Sequence, residues 1–486
     1  MIHADPISQR RLPAALLWTT LLWTALLGVV STALADDPTA PSIPRLPAGQ
    51  QLCILPHGYF EPPAAGTESS LDAALALAID RGMTTASFEF DWPEFERSPE
   101  TYDLPWFEAQ LQQWQARGIT HFYVNVSAIS IGSVTGPSDL VDPDSPTGYI
   151  DGRHVDDPLI VGRFTQMLDQ LIPPFLARQG FALSIGNELN VYLAENPDEA
   201  DHFVNFVAQV RQHVHDTYDG LPVGVILTRQ AGLEAEPWQA PIVRNSDYAG
   251  YNYYGTDELS AGLEEQVLRS ELRTLIATAQ GKPLLIQELG VHTALSLGIS
   301  EEDQAQTAAW MLDELLRHRD TVRWVSWFKM TDFSQPFADA FGELLLEEGT
   351  PLWWVNIYKT VLRGMGVCSY DTGQCRPSFD RMIDGLDRNA LTVDDLRWVD
   401  RQTLQWSAGA IALSFDVARG ELTRLREDGG TTGALAQACS QLPGTYVDPA
   451  LPAPGDGFYY LVRGRGPDLN GSWGNGPRED DTTVCQ

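Results

Sequence analysis

Positive charge is what this chain has least of: 32 Lys and Arg stand against 65 Asp and Glu, a net charge of −33. That deficit excludes a generic nucleic-acid or anionic-membrane surface, which needs basic patches. Cysteine is scarce, with five in 486 residues, and no Cys/His spacing resembles a zinc site. Nothing in the sequence asks for a metal or any other cofactor. No Gly-rich phosphate loop follows the first strand-like run, which argues against a doubly wound nucleotide fold. Only one apolar run approaches the length of a membrane span, and it lies at the N-terminus. What remains is an acidic chain with 10% aromatics and 14 Trp, a composition that suits a soluble monomer whose ligand is neutral.

The N-terminal run has its own logic. Arg10 and Arg11 precede apolar residues from about Leu12 to Leu34, and Ala33-Leu34-Ala35 comes just before Asp36-Asp37. A basic start, an apolar stretch and an A-x-A-like site predict a secretory signal peptide over 1–35, cleaved after Ala35. An uncleaved anchor is the alternative, which Pro13, Thr19 and Thr20 weaken. The mature protein is then expected to be secreted, extracellular or periplasmic, with no membrane attachment. Residues 36–50, "DDPTAPSIPRLPAGQ", are Pro-rich and read as a linker. In an exported chain five cysteines permit two disulfides. Cys368 and Cys375 flank a turn-rich loop, Cys439 and Cys485 both fall near the C-terminus, and Cys53 sits in an apolar run as a buried thiol.

From residue 51 onward, apolar strand-like runs alternate with amphipathic helical stretches. Eight runs qualify: "QLCILPHG", "TTASFEFDW", "THFYVNVS", "FALSIGNE", "LPVGVILT", "SDYAGYNYYG", "KPLLIQELG" and "RWVSWFKM". Several of the intervening helices end in Gly, as helix C-caps do. "PLWWVNIYKTVLRGMG" is expected to be the closing helix. Eight such units predict an α/β fold, a (β/α)8 TIM barrel over 51–387. Beyond residue 388 the texture changes to short alternating runs with Gly-rich turns. This predicts a small C-terminal antiparallel β domain over 388–486, stapled by Cys439 and Cys485.

Reacting groups in such barrels sit where strands run into the following loops. Strand four ends in Asn187-Glu188, strand six in Asn252-Tyr253-Tyr254, strand seven in Gln287-Glu288 and strand eight in Trp327. Two carboxylates on opposite sides of one mouth are what glycoside hydrolysis needs, one to donate a proton and one to attack or to activate water.

At these positions the chain resembles the clan A glycoside hydrolases, retaining (β/α)8 enzymes with Asn-Glu ending strand four and a nucleophilic Glu ending strand seven. It is similar to members of the cellulase, mannanase and galactanase type. The resemblance implies that Glu188 is the acid/base, Glu288 the nucleophile and Asn187 the amide that binds the sugar 2-hydroxyl. It implies that Tyr254, two residues after Asn252, hydrogen-bonds the nucleophile, and that Trp327 is the floor under the reacting sugar. Trp92, Glu96, Tyr192 and His292 lie near these positions in sequence; Trp92 and His292 join Asn252 as candidate substrate contacts. The partner is then a β-linked polysaccharide or oligosaccharide. The chain departs from the pattern at strand two, which reads Phe88-Glu89-Phe90-Asp91-Trp92 where several clan A families carry an arginine. It departs again at strand six, where Asn252 replaces a histidine. A barrel that binds carbohydrate without cleaving it, or a cell-surface adhesion protein, are the competing readings, and hydrolysis of an aryl β-glycoside separates them from the first.

Overall fold

A computed structural model describes residues 50–465, apart from 57–60, 235, 257–260, 348, 391–392, 401, 409–413, 424–434, 442–443, 451 and 453–456. The expected signal peptide, its cleavage site, all but the last residue of the linker, and Cys485 lie outside the described residues.

All eight sequence runs form strands. They are β1 (Gln51–Ile54), β2 (Thr85–Asp91), β3 (His121–Ser127), β4 (Gly180–Ser184), β5 in two pieces (Val223–Gly224 and Ile226–Thr228), β6 (Ala249–Tyr254), β7 (Leu284–Gly290) and β8 (Val322–Trp327). Pairing is parallel throughout, in the order β2-β3-β4-β5 and β5-β6-β7-β8-β1, with Val225 interrupting β5. At the remaining seam between β1 and β2, the Cys53 thiol donates to the Thr85 carbonyl at 3.1 Å and the Thr84 hydroxyl to Gln51 at 2.8 Å. The result is the expected TIM barrel.

Helices surround it because each carries one apolar stripe. The helix Ala200–Thr217, for instance, buries Phe203, Phe206, Val207, Val210 and Val214 on one side. Inside, strand alternation decides what fills the barrel. Trp324 of β8 points inward, 4.5 Å from the Tyr123 ring and 5.9 Å from Phe181, and its indole N–H donates to Thr85 at 3.0 Å. These aromatics plug the base and leave the polar groups to the layer above. Cys53 is buried in the same interior, and burial pushes its thiol to about 12.

The sequence reading misplaced the closing helix. Residues 351–362 instead form half of a helical hairpin, Gln335–Glu347 and Leu352–Leu362, inserted after β8. The barrel is closed by Pro377–Ala390, which packs on the helix Glu301–Arg317 and on β1. Its Phe379, Met382, Ile383 and Leu386 recur at helical spacing and are buried. Cys368 and Cys375 are disulfide-bonded in the loop between.

Beyond the closing helix the chain is antiparallel. β9 (Val393–Trp398), β10 (Thr403–Ala408) and β13 (Thr445–Val447) make one sheet; β11 (Ser414–Glu421), β12 (Leu435–Gln441) and β14 (Phe458–Arg465) make another. Leu404, Trp406, Phe415, Val417 and Val462 form their shared core. The proposed partner of Cys439 falls outside the described residues.

Candidate active site

The site is assembled at the C-terminal ends of the barrel strands. β4 stops at Ser184, and the chain continues through Gly186 to Asn187 and Glu188, which precedes the short helix Leu189–Glu195. Asn187 is held from below by backbone bonds to Ile129 and Ile131, at 3.1 Å each. Glu188 has φ 47 and ψ 38, the left-handed region. A non-glycine residue there carries strain that the surroundings must hold in place, and such strain clusters at functional sites.

β7 delivers two neighbouring side chains to the same mouth, which strict alternation forbids. The reason is a register shift. Tyr251 pairs with Ile286, but Asn252 pairs with Glu288, so one extra residue is accommodated at Gln287. Such an irregularity re-aims a side chain. Gln287 thereby faces the barrel interior, where its carbonyl oxygen accepts from the Tyr123 hydroxyl at 2.8 Å and the Asn125 amide at 2.9 Å. Its NH2 group donates to Asn187 Oδ1 at 3.0 Å and to Glu89 Oε2 at 3.1 Å. Glu288 meanwhile accepts a short hydrogen bond from the Tyr254 hydroxyl.

β6 completes the set. Tyr251 and Tyr253 point outward, to Thr278 and to Glu271, while Asn252 and Tyr254 point in. The Asn252 amide donates to Glu188 Oε1 at 3.0 Å, and Asn252 sits in register beside Glu288 on the neighbouring strand. Asn252 therefore links the surroundings of the two glutamates.

Electrostatics follow from this crowding. Burial raises the carboxyl of Glu188, with only Asn252 opposing it. Burial also raises Glu288, and the neighbouring Glu188 adds to the rise, while Tyr254, Gln287 and Asn252 work against it as donors. Glu89 is raised well above the usual carboxyl range by burial and then by Glu288 and Glu188. Enclosed carboxyls this close cannot all ionise at once. Tyr254 and Gln287 donate to Glu288, and Asn252 donates to Glu188.

The structure thus brings together Glu188, Glu288, Asn187, Asn252 and Tyr254. The other expected contacts it places elsewhere. Trp327 is fully buried, and Phe328 is the aromatic edge-on to Tyr254 at 6.0 Å. Trp92 is fully buried too, packed at 5.0 Å on Phe164 and donating to Glu96 at 2.8 Å. Glu96 in turn is ion-paired with Arg163. His292 is 2% exposed and accepts from the Ala294 N–H at 3.2 Å, bracing its own loop. Tyr192 is buried and donates to the Thr147 carbonyl at 3.3 Å. Sequence proximity to a strand end was the only signal for Tyr192 and His292, and it carries no direction.

Gln287, Glu89, Asn125 and Phe328 were missed as site residues. Glu89 was legible, because it falls in register with the inward Thr85 and Ser87 of β2; Gln287 was not, because a register shift leaves no mark in the residue types. A separate crevice of about 240 Å³ between outer helices, lined by Arg269, Trp310, Asp313 and Arg388 among others, contains neither glutamate.

No known sequence family matches this chain, and no curated protein matches it in sequence. Its likeness is to solved structures. GH5_18 from Streptomyces cattleya, in complex with GlcNAc, aligns over 70% of this chain and 80% of its own at 15% identity and a TM-score of 0.50. A GH5_18 variant from Bifidobacterium longum, in complex with Manβ1-4GlcNAc, aligns over 69% and 78% at 11% identity and 0.51. An exo-β-1,4-mannosidase from an Opitutaceae bacterium aligns over 73% and 62% at 12% identity and 0.51. The chain has the barrel fold of these glycoside hydrolases, as its resemblance to clan A implied.

Proposed function

We propose that this protein is a retaining glycoside hydrolase acting on β-linked sugars, with Glu288 as nucleophile and Glu188 as acid/base. The observation that carries the reading is the pairing of the two glutamates at one mouth through Asn252, which donates to Glu188 and sits in register beside Glu288. Carboxyl pairs about 5–5.5 Å apart retain configuration, whereas pairs about 6.5–9.5 Å apart leave room for a water and invert.

The division of labour follows from the donors. Glu288, which accepts hydrogen bonds from Tyr254 and Gln287, attacks the anomeric carbon in its ionised form. Glu188, enclosed with a single amide donor, holds its proton and delivers it to the leaving oxygen. A water then enters, Glu188 takes its proton, and the glycosyl bond to Glu288 breaks. Asn187 has its carbonyl oxygen engaged by Gln287, so its NH2 group is turned to whatever occupies the mouth. There it donates to the sugar 2-hydroxyl, a bond that strengthens as charge develops on the ring. We further propose that the chain is exported and cleaved after Ala35; the intact mass of the secreted form tests this, and a mature chain that still begins at Met1 overturns it.

The mechanism is tested by Glu288→Ala, expected to lower kcat on an aryl β-glycoside by on the order of 10⁴-fold. Azide should restore turnover and yield the α-glycosyl azide, whereas with Glu188→Ala it should yield the β-glycosyl azide. NMR of the first-formed product of the wild-type reaction is the direct check. An α-anomer from a β-substrate removes Glu288 from its role.

A further inference from the structure

β2 carries a carboxyl that the proposed reaction leaves without a role. Glu89 faces the barrel interior, in alternation with Ser87 and with Thr85, which takes the Trp324 indole N–H from inside. Asp91, the next inward position, is occupied in the capping box of the short helix Trp92–Phe95. Glu89 lies in register beside Asn125 of β3, and both reach across the barrel to one residue of β7, Gln287. Asn125 donates to the Gln287 carbonyl oxygen at 2.9 Å, and Glu89 Oε2 accepts from its NH2 group at 3.1 Å. Enclosing a carboxyl costs free energy that an apolar side chain at the same position would not.

The Gln287 amide is met at both ends. Its oxygen takes two donors, the Asn125 amide and the Tyr123 hydroxyl. Its nitrogen has two protons and three acceptors within reach: Asn187 Oδ1 at 3.0 Å, Glu89 Oε2 at 3.1 Å and Glu288 Oε1 at 3.5 Å. The two nearer acceptors engage the two protons, and the nucleophile is left with the longest contact. Asn187 has the same two-ended character. Its oxygen is engaged by Gln287, and at 3.4 Å by Asn252, so its NH2 group is the end left for the mouth. An Asn187 released by Gln287 is free to rotate and present its oxygen instead, which accepts but cannot donate. Without the Glu89 acceptor, the freed Gln287 proton has Glu288 Oε1 as its next acceptor. The amide then turns toward the nucleophile and away from Asn187.

We propose that Glu89 is a positioning residue: by holding Gln287 it fixes the Asn187 amide with its NH2 group toward the sugar 2-hydroxyl, and it keeps Gln287 from closing on Glu288. This role rests on the assignment of Asn187 to the 2-hydroxyl in the proposed function, and it adds the side chains that aim that amide. Only an acceptor lone pair on Oε2 is needed, so the neutral acid serves as well as the carboxylate. Burial first, and then the charges of Glu288 and Glu188, favour the neutral form. The consequence is selectivity for a sugar that carries a 2-hydroxyl at the reacting ring.

The test compares the 4-nitrophenyl β-glycosides of glucose, mannose and galactose with their 2-deoxy counterparts. Glu89→Met keeps an unbranched side chain but offers only a weak acceptor. It should lower the ratio of kcat/KM for parent over 2-deoxy substrate by about tenfold, the size of one hydrogen bond. Glu89→Gln keeps a carbonyl acceptor in the shape of the neutral acid and should hold the ratio within about twofold of wild type. In Asn187→Ala the ratio should fall at least as far as in Glu89→Met, and combining the two should lower it no further. A ratio that Glu89→Met leaves unmoved overturns the positioning role, even where both substrates slow in parallel, and leaves the glycosidase assignment standing. Equal losses in Glu89→Gln and Glu89→Met, or additive losses in the double variant, overturn it as well. Where Glu89→Met does not fold, Glu89→Ala takes its place with the same expected loss. If the wild type hydrolyses none of these glycosides, the glycosidase reading fails and the positioning role falls with it.

Discussion

The barrel mouth and the C-terminal sheets both bury acids, and they treat them in opposite ways. In the C-terminal region Asp416 is fully enclosed and meets Arg463 at 3.0 Å and Arg465 at 3.6 Å. Asp448 meets Arg419 at 2.7 Å. Burial works against the Asp448 charge, but bonds from Tyr460, the Ala450 N–H and Arg419 hold its carboxyl below the usual range. At the mouth, among the described residues, Glu188 and Glu288 make no ion pair. Their donors are the neutral groups of Asn252, Tyr254 and Gln287. One region uses charge to fix its structure; the other keeps two acids near the point of gaining or losing a proton. An arginine at the mouth would quench what makes Glu188 useful as an acid.

Neutralising one acid in each region breaks the comparison if it is wrong. Asp416→Asn is expected to leave the buried guanidinium of Arg463 uncompensated. Removing one partner of a buried pair costs about 3–5 kcal/mol. The loss should appear as protease cleavage within 393–465 and an early unfolding transition, with hydrolysis of small glycosides retained, because the proposed chemistry lies wholly in the barrel. If glycosidase activity melts away together with the C-terminal sheets, the two regions are not separable and the contrast loses its meaning.

The same contrast explains what was legible in the sequence. The eight strands were readable because each is a short apolar run, and their ends pointed to Glu188, Asn252 and Glu288 through one geometric rule of the fold. Direction was not readable. Trp327 and Phe328 are adjacent aromatics, and only the structure shows that Phe328 meets Tyr254. Gln287 and Glu288 share the mouth through a register shift that leaves no trace in composition. The closing helix was misplaced because 351–366 is more apolar than 377–390; Leu352, Trp353 and Tyr358 of "PLWWVNIYKTVLRGMG" are exposed, and hydrophobicity alone does not say whether an aromatic is packed in a core or exposed to solvent or a ligand.

The smallest expected effect has the opposite sign to the first. Glu188 has its carboxyl raised in the fold, by burial first, from an unfolded value of about 4.3. Between those two values the folded protein binds more protons than the unfolded chain, so the slope of stability against pH is negative there. The contribution of Glu188 is therefore fully present below about pH 4.3 and is lost as pH rises through the folded value. Glu188→Gln removes that loss, because a neutral amide of the same shape has no charge to desolvate. The variant should be more stable than wild type at pH 7 by roughly 0.5–2 kcal/mol, the usual size of a stabilising substitution at a site shaped for activity. The gain should shrink as the pH is lowered and approach zero at about pH 3, where the wild-type carboxyl is protonated in both states. Denaturant unfolding of both proteins at several pH values measures it. A difference that is constant with pH would mean that the introduced amide acts through packing or through the strained backbone at this position, and a loss of stability at pH 7 would mean that the Glu188 charge is compensated at the mouth as Asp416 is in the sheets.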